Sequence, residues 1–262
     1  MRMLTFAGRN TKEILRDPLN LAFCFGFPLA LLILLSVIQA NIPVALFEIR
    51  QLAPGITVFG LAFLTLFSAT LIAKDRESAL LQRLYTTPMT PVDFILGYTL
   101  PILPISVMQC VVCYVAAMCM GLGFTVNILL AVILILPVSL VYIGLGLLCG
   151  SVLNDKQVGG ICGALLTNLS AWLSGIWFDL ELVGGAFRKI ADLLPFVHAV
   201  ELERAALRGD LAGMFPHIWW VLGYGIALLA AAVFLFLRQM KKQSIIPTSC
   251  LQDVGIVHLQ EM

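Results

Sequence analysis

The stretch Val126–Gly150, VNILLAVILILPVSLVYIGLGLLCG, contains no charged side chain. A helix needs about 20 apolar residues to cross the hydrocarbon core of a bilayer. The run is continuous and lacks the alternation of a barrel strand, which indicates a helix. This stretch therefore predicts a membrane-spanning helix and sets the fold class for the chain.

Five further apolar runs of similar length lie along the chain of 262 residues. Hydrophobic residues make up 60% of it and charged residues 12%, whereas a soluble domain is roughly half apolar and a quarter charged. These features predict an all-α, polytopic membrane protein with six transmembrane helices. A net charge of +1 gives no field that would attract nucleic acid, so no nucleic-acid partner is expected. The predicted spans are Leu19–Ile38, Leu52–Ala73, Phe94–Met120, Val126–Gly150, Gly159–Phe178 and Ile218–Leu237.

Lysine and arginine residues cluster beside alternate ends of the spans, and such residues are enriched in cytoplasmic loops. With six spans the clusters fall on one side, which predicts an inner (plasma) membrane protein with both termini cytoplasmic. The long segment 179–216 carries basic residues on the other side, but long segments follow this rule poorly. The clusters are Arg2, Arg9, Lys12 and Arg16; Lys74, Arg76 and Arg83; Lys156; and Arg238, Lys241 and Lys242.

Residues 1–17 form an amphipathic segment ahead of the first span. At 100° per residue its charged side chains share one helical face and its apolar side chains share the other. We predict a basic interfacial helix that contacts membrane lipid; the alternative is a basic tail that only sets the orientation. The charged face holds Arg2, Thr5, Arg9, Lys12, Glu13 and Arg16, and the apolar face holds Met3, Leu4, Ala7, Ile14 and Leu15.

The segment 74–93, after the second span, holds the densest charge cluster of the chain. Helical periodicity places three leucines on one face, and the pairs Thr87-Pro88 and Thr90-Pro91 stop the helix. Composition alone favours an ordinary solvated loop. The alternative is a short helix presented to a soluble partner.

The motifs of this segment resemble the first cytoplasmic loop of ABC transporter type-2 permeases, the membrane subunits of bacterial exporters for drugs, antibiotics, lipids and polysaccharides. The matching residues are Lys74-Asp-Arg-Glu, Leu81-x-Arg-Leu, Thr87-Pro-Met and Gly97-Tyr98. A second group resembles the outer motif of the same family: Leu194-Pro195-Phe196, His198-Ala-Val-Glu201, Arg204 and Gly209. The resemblance covers about residues 1–243, a predicted type-2 transmembrane domain, and leaves 244–262 as a cytoplasmic tail without an assigned role.

The resemblance implies that the segment 74–93 is a coupling helix that docks onto an ATPase subunit. Glu77 is the first position to which this role is transferred, followed by Arg76 and Arg83. The complete set predicted to couple to the ATPase is Arg76, Glu77, Leu80, Leu81, Arg83 and Leu84.

The chain lacks the motif that holds nucleotide phosphates. A Walker A loop needs glycines followed by Lys-Ser or Lys-Thr. None of the six lysines has a preceding Gly and a following Ser or Thr: Lys12, Lys74, Lys156, Lys189, Lys241 and Lys242. A nucleotide site is therefore not expected here, and ATP and Mg are expected in a partner ATPase. The CxxC pair Cys110 and Cys113 has no nearby His, Asp or Glu, which favours packing residues over a metal site, and no catalytic, cofactor or metal residues are predicted.

The outer segment 179–216 is too long for a turn. We predict a helix from His198 to Arg208 with Gly209 as its C-cap, and the resemblance implies short re-entrant helices in the outer leaflet. Glu201, Arg204 and Arg208 fall on one helical face at spacings that permit ion pairs. Together with Pro195 of the outer motif, they are the predicted outer gate.

Polar side chains are few within the predicted spans. Asn168 is costly in lipid and should face a helix or a cavity. The predicted translocation path lies between two copies of the chain and includes Thr65, Ser68, Asn168 and Trp172. The spans carry no charged residue at their centres, which disfavours an ion-coupled carrier.

These features predict the permease subunit of an ATP-driven exporter for an amphiphilic or apolar cargo. Its predicted partners are two ATPase subunits and a second permease, either the same chain or a related one. A membrane interaction or immunity protein that transports nothing is the rival hypothesis, and an ion-coupled secondary transporter is the second rival.

Overall fold

The computed structural model describes residues 2–42, 47–78 and 90–244. Within these ranges the chain is helical, and one stretch adopts the wider π-helix. The helices are α1 (Arg2–Leu15), α2 (Pro18–Asn41), α3 (Ile49–Glu77), α4 (Pro91–Cys119), α5 (Asn127–Val152), α6 (Asp155–Val158), π1 (Gly159–Leu166), α7 (Thr167–Leu173), α8 (Leu180–Val183), α9 (Gly185–Leu193), α10 (Pro195–Arg208) and α11 (Leu211–Ser244).

Five of the described helices are long and apolar enough to cross a membrane: α2, α3, α4, α5 and the part Leu211–Arg238 of α11. They coincide with the first four predicted spans and the last one. Helix α3 is almost wholly buried and packs against α2, α4, α5 and α10. The bundle is therefore built around α3, whereas only 22% of the residues in the most apolar part of α2 and of α11 are buried.

The fifth predicted span, Gly159–Phe178, is not one long α-helix. The backbone stays helical from Asp155 to Leu173, but it widens into π1 between α6 and α7. The Thr167 hydroxyl donates to the Cys162 carbonyl five residues earlier, at 3.0 Å, as the wider turn allows. The helix ends at Ser174 and Gly175, where a positive φ of 69° turns the chain earlier than hydropathy predicted.

The predicted N-terminal helix is present as α1, and its apolar face packs on α4. Phe6 contacts Phe94 and Tyr98 edge-to-face, with ring centroids 5.7 and 5.0 Å apart. Ile14 is also buried, whereas Leu4 is 62% exposed. Of the predicted apolar face, protein contacts therefore bury Ala7 and Ile14, whereas Leu4 and Leu15 stay exposed.

The two ends of α3 define the two ends of the bundle. Asp75, near the end of α3, meets α1, and Gln51, near its beginning, meets α10. At about 1.5 Å per residue these positions lie roughly 36 Å apart along the helix. We call them the α1 end and the α10 end.

The chain between α3 and α4 is shorter than the predicted segment 74–93. Helix α3 continues to Glu77, and α4 begins at Pro91 with a capping box between Thr90 and Asp93. Leu80, Leu81, Arg83 and Leu84 lie outside the described residues, as does the tail from residue 245 onward.

The outer segment forms α8, α9 and α10. Pro195 is the first residue of α10, where its missing N–H costs nothing. Gly209 ends α10 with a φ of 73°, which confirms the predicted C-cap. The predicted helix therefore exists and begins three residues earlier than His198.

Candidate functional site

The α1 end contains a buried carboxylate that joins three helices. The Asp75 side chain is 2% exposed, and its carboxylate accepts a 2.7 Å hydrogen bond from each terminal nitrogen of Arg9. The Tyr98 hydroxyl donates to Oδ2 of the same carboxylate at 2.8 Å. Arg9 belongs to α1, Asp75 to α3 and Tyr98 to α4, so one carboxylate fixes their mutual positions.

Close packing surrounds this cluster. The fully buried Asn10 donates from Nδ2 to the Gly97 carbonyl at 3.0 Å and accepts from Arg9 at 3.0 Å. A side chain at Gly97 would collide with the Phe6 ring, so glycine permits the close approach of α1 to α4. Arg9 also pairs with Glu13 on the exposed side of α1.

The charge of Arg9 is stabilised by this arrangement. Hydrogen bonding to Asp75 raises the pKa of Arg9 above its ordinary value, against the opposing effect of partial burial. The negative charges of Asp75 and Glu13 raise that pKa further. We call Arg9, Asp75 and Tyr98 the α1 clamp.

Asp75 is not among the site residues predicted from the sequence, although it lies inside the motif Lys74-Asp-Arg-Glu. Asp75 follows Ser68, Leu71 and Ile72 at helical spacing, and all three face the interior. Helical periodicity could therefore have placed its carboxylate on the buried face. The partner on α1 could not be found this way, because it lies 66 residues away in the chain.

Arg76 and Glu77 make contacts within the chain. Arg76 donates from Nη1 to the Gly150 carbonyl at 2.8 Å and to that of Leu153 at 3.3 Å. Glu77 accepts from the backbone N–H of Asp155 at 3.1 Å. These contacts satisfy free backbone groups at the end of α5 and the start of α6. Two residues predicted to dock a partner thus also join α3 to the α5–α6 turn.

The four residues predicted for the translocation path fall into two places. Thr65 donates to the Tyr142 carbonyl at 2.9 Å, and Ser68 donates to the Leu64 carbonyl at 2.9 Å. Both lie fully buried where α3 packs on α5. Asn168 and Trp172 instead lie on the exposed side of α7, where Trp172 is 54% exposed.

The α10 end is held together by Arg204, whose side chain is 7% exposed. It donates to Glu201 at 2.8 Å, to the Gly175 carbonyl at 3.2 Å and to the Gln51 carbonyl at 3.3 Å. Arg208 lies 4.0 Å from Glu201. Three of the predicted gate residues therefore meet, and Arg204 joins α10 to α3 and to the turn after α7.

An open cavity of about 820 Å³ lies beside Glu201, Arg204 and Arg208. Its wall combines aromatic and charged groups. Lining residues include Gln51, Trp177, Phe178, Arg204, Arg208 and His217.

Glu203 is a second buried carboxyl group that sequence analysis missed. It is fully buried on α10, and its Oε2 accepts from the Tyr114 hydroxyl at 3.1 Å. Its Oε1 has no hydrogen-bond partner in the part of the chain that the structure describes. Burial raises the pKa of Glu203 well above its usual range, and the Tyr114 hydrogen bond lowers it only in part. The buried residues Ala199, Val200 and Ala206 mark the helical face on which Glu203 lies.

Two histidines connect α10 to α11. The Nδ1 atoms of His198 and His217 lie 2.9 Å apart, and His198 Nε2 lies 2.8 Å from the Asp192 carbonyl. A carbonyl only accepts, so Nε2 of a neutral His198 carries its hydrogen and its Nδ1 accepts from His217. His198 also stacks on Trp220, with ring centroids 4.9 Å apart.

A metal site is not evident in residues 2–42, 47–78 and 90–244. They contain no group of three His, Cys, Asp or Glu side chains that could hold a metal ion. Cys110 and Cys113 are buried free thiols, as packing residues would be.

Comparison with known families gives one match. The sequence model of the family described as ABC-2 type transporter matches residues 2–207, a range that runs from α1 into α10. No curated protein matches the chain. The α1 clamp and the Arg204 contacts both lie inside the matched range.

Proposed function

The chain belongs to the ABC-2 type transporter family, and from this membership we propose that it is the permease subunit of an ATP-driven exporter. The membrane-spanning character that the family requires is carried by the five long apolar helices. The observation that supports this proposal most directly is the family match over residues 2–207, a range that includes residues at both ends of the bundle.

Energy would come from two copies of a separate ATPase subunit that bind ATP and Mg. The sequence lacks a Walker A loop, which supports this division of labour. Glu77 and Arg76 end α3 just before the segment that continues to α4. A partner that displaces this segment would act on α3 directly and on the α5–α6 turn through the contacts of Arg76 and Glu77.

A second copy of the chain, or a related permease, would face the exposed side of α7. Asn168 is exposed there beside the exposed apolar side chains of Leu165 and Leu169, and an amide is costly against lipid. We therefore place Asn168 and Trp172 in the path between copies. Thr65 and Ser68 would join that path only if α3 and α5 separated, because both are buried between them.

The sixth crossing would be supplied by the helical stretch Asp155–Leu173, despite its π-helical part. Both termini would then be cytoplasmic in the plasma membrane, with the α1 end inside and the α10 end outside. The contacts of Arg204, Glu201 and Arg208 would close the outer gate, and the gate would open when a conformational change breaks them. The cargo would be amphiphilic or apolar, since the exposed side of α7 offers one amide beside an indole.

A direct test is to purify the tagged full-length chain from its native membrane and assay the eluate for ATP hydrolysis. We expect an ATP-hydrolysing subunit to accompany it, and not to accompany an unrelated six-span protein carrying the same tag. Recovery of a partner without ATPase activity would favour the membrane interaction protein. Transport by the chain alone in vesicles would contradict the proposal.

A further inference from the structure

We propose that Arg9, Asp75 and Tyr98 are positioning residues for energy coupling, because they make α1, α3 and α4 move as one unit. This inference rests on the proposed function. It assigns a role to the α1 clamp, whereas the residues named so far for coupling lie at the end of α3 and in the segment of the chain after it.

The clamp lies next to the connection between α3 and α4. Asp75 is two residues from the end of α3 at Glu77, and Tyr98 is seven residues after the start of α4 at Pro91. A displacement of the connecting segment reaches α3 and α4 first. Because Asp75 is bonded to Tyr98 and to Arg9, neither helix can shift there without moving the other and α1.

The hydrogen-bond geometry of the α1 clamp is suited to passing a displacement from one helix to the next. Two parallel hydrogen bonds of 2.7 Å between a guanidinium and a carboxylate fix both distance and orientation. The Tyr98 ring is fully buried against Phe6, so its hydroxyl cannot swing away from Asp75. Asn10 adds a bond to the Gly97 carbonyl, one residue before Tyr98.

Stability alone gives a weak reason for a buried carboxylate at this place. The Asp75 side chain is 2% exposed and the Arg9 side chain 39%, so desolvation falls mainly on Asp75 and offsets much of its attraction to Arg9. A charged pair instead defines one register between helices, because any other alignment leaves the buried Asp75 carboxylate without partners. The pair therefore fits a role in holding the three helices in one alignment.

The test compares variants in the complex of the chain with its co-purifying ATPase subunit. The variants are Asp75→Asn, Tyr98→Phe and the double variant Arg9→Gln with Asp75→Asn. Glu13→Gln is the matched control, because it removes the other carboxylate bound to Arg9 and lies at the exposed side of α1. Three quantities are measured: affinity for the ATPase, stimulation of ATP hydrolysis by the permease, and hydrogen exchange of α1 with and without nucleotide trapped as ADP and vanadate.

We expect wild type and Glu13→Gln to show a nucleotide-dependent change in α1 exchange. In Asp75→Asn that change should be lost and stimulation should fall by about fivefold or more, within the range of coupling between linked sites. Tyr98→Phe removes one hydroxyl from an intact ring, and stimulation should fall about threefold. Affinity for the ATPase should stay within about twofold of wild type, because the clamp makes its hydrogen bonds within the chain. Loss of even one hydrogen bond to the ATPase would lower the affinity by more than about twofold.

The double variant separates positioning from folding. It leaves no buried unpaired charge, so its yield and thermal stability should return toward wild type. If the clamp positions the helices, stimulation and the α1 response stay lost in this variant. The proposal would be overturned if the double variant fully recovered stimulation and the α1 response, or if all three variants behaved like wild type. Failure of any ATPase to bind the wild-type chain would instead count against the proposed function.

Discussion

The Tyr114 hydroxyl on α4 donates a 3.1 Å hydrogen bond to Glu203 on α10, a carboxyl group that is fully buried. One bond leaves Oε1 of this carboxyl without a partner among the described residues. A carboxylate with so few donors is costly to bury, whereas the neutral acid costs much less. The contact therefore favours a protonated Glu203 and makes the fold sensitive to pH.

Glu203→Gln should weaken the dependence of stability on pH. Burial raises the pKa of Glu203 in the folded protein above its unfolded value, so the folded state binds more protons. Stability is then full below the ordinary glutamate pKa and falls as pH rises through the raised pKa, by at most about 1.4 kcal/mol per pH unit. Thermal unfolding of the detergent-solubilised protein from pH 5 to 9 measures this slope.

Glu201→Gln provides the matched control for that slope. Glu201 lies on the same helix but is partly exposed and does not contact Tyr114. We expect it to keep the wild-type slope, while Glu203→Gln is flatter and relatively more stable at high pH. Parallel slopes for wild type and Glu203→Gln would show that Glu203 does not carry the extra proton.

Gly150→Ala should destabilise the bundle where α3 packs on α5. A Cβ at this position would lie 2.9 Å from the Cα of Ala69, and a backbone atom cannot rotate away as a side chain can. Overpacking of this kind costs about 1–3 kcal/mol. Gly26→Ala in α2 is the control, because its added methyl group meets nothing within 4 Å. Denaturant unfolding in the same detergent should separate the two variants, and equal stabilities would contradict this packing.

Apolar run length predicted five helices of the bundle because burial in lipid demands about 20 such residues in a row. It did not predict helix ends, since helices continue past their apolar part. Helix α3 reaches Glu77, four residues beyond the predicted end at Ala73, because Arg76 and Glu77 find partners at the α5–α6 turn. Hydropathy also could not separate π1 from an α-helix, because both geometries accept the same apolar residues.

The ion pairs on α10 could be predicted from the sequence and the clamp could not, for a physical reason. Glu201, Arg204 and Arg208 lie on one helix, so spacing alone brings them together. The carbonyl groups of Gln51 and Gly175 that complete the Arg204 site come from distant chain segments. Asp75 likewise depends on Arg9 and Tyr98, which only the tertiary fold brings to it.

Arg204→Lys should destabilise the α10 end. A lysine keeps the charge but cannot donate at once to Glu201 and to the carbonyls of Gln51 and Gly175. Loss of hydrogen bonds from a buried charged group costs about 1.5–3 kcal/mol. Arg208→Lys is the control, since Arg208 is half-exposed and lies 4.0 Å from Glu201. This control substitution should lower stability by less than about 0.5 kcal/mol. Equal thermal midpoints for both variants would contradict this assignment.

Glu77→Ala should leave folding and membrane insertion intact while weakening binding of the ATPase subunit. Glu77 is exposed, and among the described residues its side chain accepts one hydrogen bond, from the Asp155 N–H at 3.1 Å, so stability should change by less than about 0.5 kcal/mol. Glu77→Gln tells apart two causes of weaker binding, because its amide oxygen can still accept from Asp155. If the ATPase needs the charge, both variants weaken binding; if it needs the α5–α6 turn in place, only Glu77→Ala does. Unchanged ATPase affinity in both variants, measured on the purified complex, would remove Glu77 from the coupling surface.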